Sequence, residues 1–352
     1  MLGWSPRWQG YLAVAEMEAK TPLRAARISA IHRGGGECIV ADSGETTTFN
    51  LSYPHPARAL EQWPPVVGDW AGLDAEGAIA TVLPRVTYLE RAGVSRSSLM
   101  QPIAANIDAL VIVEPLRPSP SIGRIERFVA LAHAAGISPW LVLTKADLVD
   151  AADAREVLER VDYLVDRAFA VSNAEESSLT PLREAITPHD TLVLVGRSGA
   201  GKTTLTNALL GLSLATAAVR EGDGKGRHTT TRRQLVATPH GIILDTPGIR
   251  ALAATPDADA IDETFAAITD LARGCRFADC THDAEPGCAI REAVDLGDLD
   301  AAELDRYRRM RAEAQRQIVR ADARLHRAEQ RQASKNNTRG RRDAMARKGR
   351  RR

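Results

Sequence analysis

The sequence predicts an α/β core on a mainly parallel sheet, preceded by a small all-β domain and followed by a small α-helical one. Three observations carry that expectation. Residues 98–255 alternate apolar, strand-like runs with amphipathic helical ones, the rhythm of strands joined by helical crossovers. Residues 1–97 hold short β-like pieces divided by glycine and proline turns, which suits a small barrel or sandwich. Residues 256–333 gather three of the chain's four cysteines ahead of a long helical pattern, and 334–352 form a basic tail.

Composition sets the outer limits. A chain of 352 residues exceeds one small core and suggests two or three domains. No run of eighteen or more apolar residues occurs, so no membrane span is expected. The first ten residues lack the basic-then-apolar pattern of a secretory signal, and four cysteines do not make a secreted disulfide scaffold at this size. A cytoplasmic location is expected. The net charge of +1 conceals a segregation: residues 306–352 hold 18 basic and 4 acidic side chains, leaving 28 against 41 in the rest. An acidic body with a basic end points to a polyanionic partner such as RNA for the tail, a solvated, disordered end being the alternative.

In the first domain, Glu37-Cys38-Ile39-Val40, Thr46-Thr47-Thr48-Phe49-Asn50, Val66-Val67-Gly68-Asp69-Trp70 and Ala78-Ile79-Ala80-Thr81-Val82 read as strands, with Gly34-Gly35-Gly36 as a turn. From about residue 100 the pattern changes. Asp108–Glu114 and Leu141–Leu143 read as buried strands. Ile125, Phe128, Val129 and Ala132 share one face of a helix between them. A second helix follows with Val157, Leu158, Val161, Leu164 and Val165 on one side, then Phe169–Val171 leads into Ser172-Asn173.

The core's chemistry starts at Gly196-Arg197-Ser198-Gly199-Ala200-Gly201-Lys202-Thr203-Thr204, a G-x-x-x-x-G-K-T run after the apolar strand Thr191–Val195 and before a helix. Glycines at this spacing let backbone N–H groups turn inward around phosphate oxygens, and the helix beginning near Lys202 adds its positive end. Lys202 is expected at the β- and γ-phosphates, and the Thr203 hydroxyl on Mg²⁺. A chance glycine turn is the alternative, and the strand in front disfavours it.

Thr144-Lys145-Ala146-Asp147, at the end of the strand through Leu141–Leu143, matches the guanine-reading [NT]-K-x-D element of GTPases. A carboxylate at Asp147 accepts from guanine N1–H and the exocyclic amine, a donor pair adenine lacks. An ATPase or kinase with a P-loop is the rival that this tetrad disfavours.

Residues 221–231, EGDGKGRHTTT, read as a mobile loop suited to closing on Mg²⁺ and the γ-phosphate, with Thr229 or Thr230 supplying a second hydroxyl ligand. Gly241–Leu244 reads as a strand ending in Asp245-Thr246-Pro247-Gly248. Asp245 is expected to hold Mg²⁺ through water, and the Gly248 N–H to sense the γ-phosphate. The base-reading tetrad precedes the P-loop, whereas ordinary GTPases place it after, so the core reads as a circularly permuted P-loop GTPase. The segment after Asp245 then leads directly into the C-terminal domain.

Cys275-x4-Cys280-x-His282-x5-Cys288 supplies three thiolates and an imidazole, the donor set of a closed, structural Zn²⁺ site. Reduced, buried thiols beside a surface histidine are the alternative. Cys38 stands alone and suits packing. From Asp298 a long helix is expected, with Leu304, Tyr307, Ala314, Ile318, Ala321, Leu325 and Ala328 recurring at three and four.

The permuted order, the H-T-T-T loop and the C-x4-C-x-H-x5-C cluster together resemble the ribosome small-subunit-dependent GTPase A (RsgA) family, with V-G-D-W at 67–70, A-A-N-I-D at 104–108 and E-P-G-C at 285–288. The resemblance runs from about Val66 to Tyr307. It implies an N-terminal OB-fold over 1–97, a permuted GTPase domain over 98–255 and a zinc-binding helical domain over 256–333. It further implies GTP hydrolysis in late maturation of the small ribosomal subunit, stimulated by that subunit and its rRNA. A monomer is expected. The sequence departs from the family at Thr144, where asparagine is commoner, and at Asn173, where alanine is usual and a backbone N–H makes the contact. Ile249 stands near where many GTPases carry a water-orienting glutamine, and an isoleucine orients no water. The resemblance points instead to His228 as a catalytic group beside Lys202, a solvated loop histidine being the alternative. The rival from another class is an RNA-binding assembly scaffold that binds GTP with little turnover.

Overall fold

The computed structural model describes residues 2–32, 34–50, 64–92, 100–172, 175–211, 234–238, 240–245 and 256–319. The chain separates into two compact units, residues 1–91 with 101–254 and residues 92–100 with 255–352.

The first unit opens on a helix, α1 (Pro6–Ala19), which the sequence pattern did not announce because its apolar residues form no strong stripe. Trp8 and Leu12 are its buried anchors. Strands β1 (Arg24–His32), β2 (Gly35–Val40), β3 (Thr46–Asn50), β4 (Trp70–Leu73) and β5 (Ile79–Val82) follow in antiparallel pairings. They close around Ala26, Ile28, Cys38, Val40, Phe49, Ala71, Leu73 and Ile79. Gly35 and Gly36 lie inside β2 rather than in a turn, because a Cβ at Gly36 would stand 2.4 Å from the Ala30 carbonyl oxygen. Strands β6 (Tyr88–Ala92) and β7 (Met100–Ala105) pair with each other.

The α/β core follows with β8 (Ala109–Pro115), α2 (Ile122–Ala134), β9 (Ser138–Thr144), α3 (Ala151–Glu159) and β10 (Arg167–Ala170). Next come α4 (Thr180–Ala185), β11 (Thr191–Val195), α5 (Lys202–Leu209), β12 (Gln234–Ala237) and β13 (Ile242–Asp245). The expected second helix stops at Glu159, and Leu164 is buried from a 3-10 turn, Asp162–Leu164, instead. Among the described residues the strands run β10-β9-β8-β11-β13-β12-β1-β2-β3. The first five are mutually parallel, and β12 is antiparallel to β13. Helices cover both faces, so every residue of β8 is buried and the strand reads as an unbroken apolar run apart from Glu114. Arg124 of α2 holds that carboxylate by two contacts of 2.8 Å. The sheet passes into the N-terminal strands through the pairing of Ala30 with Gln234.

One buried cation joins the N-terminal strands to the core within this unit. Arg27 of β1 is 2% exposed. Its guanidinium donates to the carbonyls of Gly68 (3.3 Å), Leu2 (2.5 Å) and Asn106 (2.9 Å) and to the Thr191 hydroxyl (2.8 Å), and lies over the Trp70 ring. Burial lowers its pKa to about 10, while Asp108 and Asp69 oppose that shift. Asn106 also donates to the Gly68 carbonyl (3.1 Å), and a Cβ at Gly68 would stand 2.1 Å from the Ala105 carbonyl oxygen. The V-G-D-W and A-A-N-I-D stretches are therefore two halves of one packed joint.

The second unit is helical: α6 (Ala258–Thr264), α7 (Ala266–Ala272), α8 (Ala289–Leu296) and α9, residues 301–319. The Asp257 carboxylate caps α6 by accepting from the Ala260 N–H at 2.9 Å. Leu304, Tyr307, Met310 and Ala314 of α9 are buried, and Phe265 meets Tyr307 edge-on at 5.5 Å. Ile318, placed on that stripe from sequence, is 51% exposed. Arg311, between buried positions, reaches out to Asp262 at 3.3 Å.

Candidate nucleotide site and metal cluster

The predicted loops leave the carboxyl ends of neighbouring parallel strands, where open α/β sheets bind ligands. Strand β8 lies between β11 and β9, with Ile112 opposite Val195 and Pro115 opposite Thr144. That register sets the P-loop and the Thr144–Asp147 tetrad side by side.

Three glycines shape the P-loop: Gly196 at φ +138°, Gly199 at +77° and Gly201 at +90°. Gly196 permits no other residue, since a Cβ would stand 2.2 Å from the Val113 carbonyl oxygen of β8. Arg197, Ser198 and Gly199 are exposed, and Ala200 is fully buried. Helix α5 begins at Lys202, so its free N–H groups open into the loop. The Lys202 ammonium donates to the carbonyls of Gly196 (2.7 Å) and Arg197 (2.6 Å). Thr203 is exposed on the first turn, and Thr204 is half-buried beside it.

The tetrad is tied to this loop directly. The buried Thr144 hydroxyl donates to the Ala200 carbonyl at 2.6 Å. Lys145 adopts φ +61°, which turns Ala146–Leu148 into a 3-10 turn. The Ala146 N–H donates to the Val171 carbonyl at 3.1 Å, fastening the tetrad to the end of β10. Asp147 is exposed, and its Oδ1 accepts from the Ser172 hydroxyl at 2.8 Å. The structure thus brings Thr144, Lys145, Ala146, Asp147 and Ser172 together with the P-loop. Asp245 ends β13, where its backbone pairs with Gln234. Asn173, His228, Thr229, Thr230 and Gly248 lie outside the described residues, as does the Asp245 side chain.

Two positioning contacts had no sequence signal. The Ser178 hydroxyl binds the backbone of Ser172. Arg183 of α4 joins Glu176 (2.5 Å) to the Ala208 carbonyl at the end of α5 (2.8 Å).

In the second unit, one ligand atom from each of Cys275, Cys280, His282 and Cys288 lies within 4.8 Å of all the others. The Cys275 and Cys288 sulfurs are 3.9 Å apart, and each lies 3.6 Å from His282 Nδ1. Ligands at ordinary Zn–S and Zn–N lengths on a tetrahedron sit about 3.8 Å (S to S) and about 3.6 Å (S to N) apart, so the donor set fits that ion. The loop is held by Glu285, whose carboxylate accepts from the Thr281 hydroxyl and from the N–H groups of Thr281 (2.9 Å), Asp283 (3.0 Å) and Ala284 (3.1 Å). Those bonds, the Thr281 hydroxyl first, lower its pKa to about 2.

Comparison with known proteins settles the family. The family model described as RsgA GTPase matches residues 82–255, and one described as 50S ribosome-binding GTPase matches residues 191–339. The small ribosomal subunit biogenesis GTPase RsgA of Streptomyces coelicolor is 38% identical over 330 residues, covering 92% of this chain and 88% of that one. The chain belongs to the RsgA family of GTPases. The protein of that name from Xanthomonas axonopodis pv. citri is 41% identical, covering 82% of this chain and 80% of its own. Two solved structures share the fold at 24% identity and a TM-score of 0.62. They are YjeQ from Thermotoga maritima, covering 83% of this chain and 98% of its own, and YloQ, titled a circularly permuted GTPase, covering 83% and 95%. As an RsgA GTPase the chain is a GTP hydrolase, and its permuted α/β core is the one expected from the motif order. Among the described residues no helix is long and apolar enough to cross a membrane.

Proposed function

We propose that this RsgA GTPase works in late maturation of the small ribosomal subunit, binding the subunit through its rRNA and using GTP hydrolysis as a checkpoint or release switch. The observation that carries the reading is the pairing of a guanine-reading carboxylate with a P-loop at adjacent strand ends, joined through Thr144 and Ala200. Asp147 accepts from the guanine N–H donors, with the Lys145 stem along the base and Ser172-Asn173 beside it. The P-loop amides from Gly196 to Thr204 hold the phosphates, and Lys202 turns from the loop carbonyls to the β- and γ-phosphates.

Thr203 and, through water, Asp245, with Thr229 or Thr230, would hold Mg²⁺ in this reading. An ion held there would neutralise phosphate charge. Water attacks the γ-phosphorus in line, the bond to the β–γ bridging oxygen breaks, and GDP and phosphate leave, the water's proton passing to phosphate or solvent, while Lys202 and the loop amides stabilise the developing charge. His228 orients that water, Gly248 senses the γ-phosphate, and the segment after Asp245 carries its loss to the C-terminal unit. The Cys275, Cys280, His282 and Cys288 set would hold one structural Zn²⁺. We place the working protein in the cytoplasm as a monomer, with the basic C-terminal tail on RNA.

The test is GTP turnover measured against the concentration of small ribosomal subunits. The expected result is a rise that saturates with the subunit and is lost in His228→Ala, which still binds GTP. Turnover that stays flat as subunits are added contradicts the reading and leaves a GTP-binding scaffold in its place.

A further inference from the structure

We propose that Ser178 is a positioning residue for guanine recognition, acting on Asp147 through Ser172. The inference rests on the reading of Asp147 as the guanine acceptor. Asp147 is exposed, so water competes for it and its orientation must be imposed. Its Oδ1 is fixed by the Ser172 hydroxyl at 2.8 Å. Ser172 is itself buried, and its backbone is fixed from both sides by one hydroxyl. Ser178 Oγ accepts from the Ser172 N–H at 2.9 Å and shares its proton between the carbonyls of Ser172 (2.9 Å) and Glu175 (2.7 Å).

Ser178 is well placed to serve as that anchor. It sits in the 3-10 turn Glu176–Leu179. Leu179 is buried in the cluster that contains Leu205 of the P-loop helix. The same turn is held to α5 by Arg183, which spans Glu176 and the Ala208 carbonyl. The chain Ser178–Ser172–Asp147 therefore refers the base-reading carboxylate to the helix that carries the phosphates. Loss of the hydroxyl leaves the Ser172 N–H without this partner and leaves its carbonyl with the longer Glu175 N–H contact of 3.3 Å. Ser172 then holds Asp147 less firmly.

The exocyclic amine of guanine is one of the two donors that this orientation serves, and hypoxanthine keeps N1–H but lacks the amine. Inosine diphosphate is therefore the probe, with guanosine and adenosine diphosphates as references, each measured by competition on the full chain. A charge-assisted bond to the amine corresponds to a preference for guanosine over inosine diphosphate of about 10- to 100-fold. Ser178→Ala is expected to lower that ratio by about threefold or more, as a charge-assisted bond is partly lost. Ser178→Thr, which keeps the hydroxyl, retains the wild-type ratio. A loss of general stability alone lowers both affinities together and leaves the ratio unchanged. Ser178→Gly gives a second hydroxyl-free variant if the alanine variant folds poorly. An unchanged ratio in a folded hydroxyl-free variant overturns the role of Ser178 while leaving guanine recognition intact. A wild-type protein with no preference for guanosine over adenosine diphosphate overturns the reading beneath it.

Discussion

The Thr144 hydroxyl donates to the Ala200 carbonyl oxygen across 2.6 Å, with both residues fully buried. The bond joins the end of β9 to the middle of the P-loop, 56 residues apart in sequence. Thr144, which stands where the family more often has asparagine, makes this tether through its hydroxyl. Thr144→Val keeps the shape and removes the donor. It leaves a buried carbonyl unpaired, which costs about 1–3 kcal/mol. Chemical unfolding should show that loss, and nucleotide titration should show guanosine diphosphate binding several-fold weaker. A variant as stable and as tight as wild type contradicts the tether.

Arg27 makes four hydrogen bonds from a buried position between β1 and β11. Arg27→Met fills much of the space and leaves three carbonyls and a hydroxyl without that donor. The expected loss is about 3 kcal/mol or more, read as a lower urea midpoint with an unchanged slope. A loss below about 1 kcal/mol, the value of one ordinary hydrogen bond, contradicts the joint described for this residue.

The second unit packs a small core that includes Ile261, Phe265, Ile268, Ile290, Leu304, Tyr307 and Met310, and units of this size commonly rely on a metal tie. Metal analysis of the purified protein should give one zinc per chain. Chelation, or Cys275→Ser, should lower helical circular dichroism and expose residues 256–319 to protease. Guanosine diphosphate binding by the first unit should persist. Full protease resistance after complete metal removal would contradict a structural ion.

Glu285 gives a pH signature to the same loop. Its folded pKa is about 2, below the unfolded value of about 4.3, so the carboxylate stabilises the fold above the unfolded value. That contribution fades as pH falls from about 4.3 towards about 2. Glu285→Gln should therefore melt below wild type at pH 7, and the gap should narrow as the solution is acidified through that window. A gap independent of pH would mean that the carboxylate's charge plays no part.

The sequence made legible what depends on local pattern. The strand Thr191–Val195 lies where its apolar run ends at the first P-loop glycine, and the four zinc-type ligands converge as their spacing implies. The order of tetrad and P-loop announced the permutation, because motifs that must share a strand edge can occupy either order along a chain. Long-range placement was not legible. Arg183 and Arg27 act through backbone atoms of distant segments and Ser178 through the backbone six residues before it, and no residue type or period marks such a contact. Helix α1 escaped for a related reason, since it buries only Trp8 and Leu12 and shows no sustained stripe. Ile318 shows the converse, a residue on the apolar period that is nonetheless 51% exposed.

The most direct test of the central claim is competition between guanine and adenine nucleotides for the purified chain, because the adjacency of Asp147 and the P-loop makes base identity the deciding contact. Guanosine triphosphate and diphosphate should displace a bound guanine probe at concentrations about 100-fold or more below those of their adenosine counterparts, as expected when the charge-assisted bonds from the base to Asp147 are lost. Equal displacement by the two bases would contradict the account.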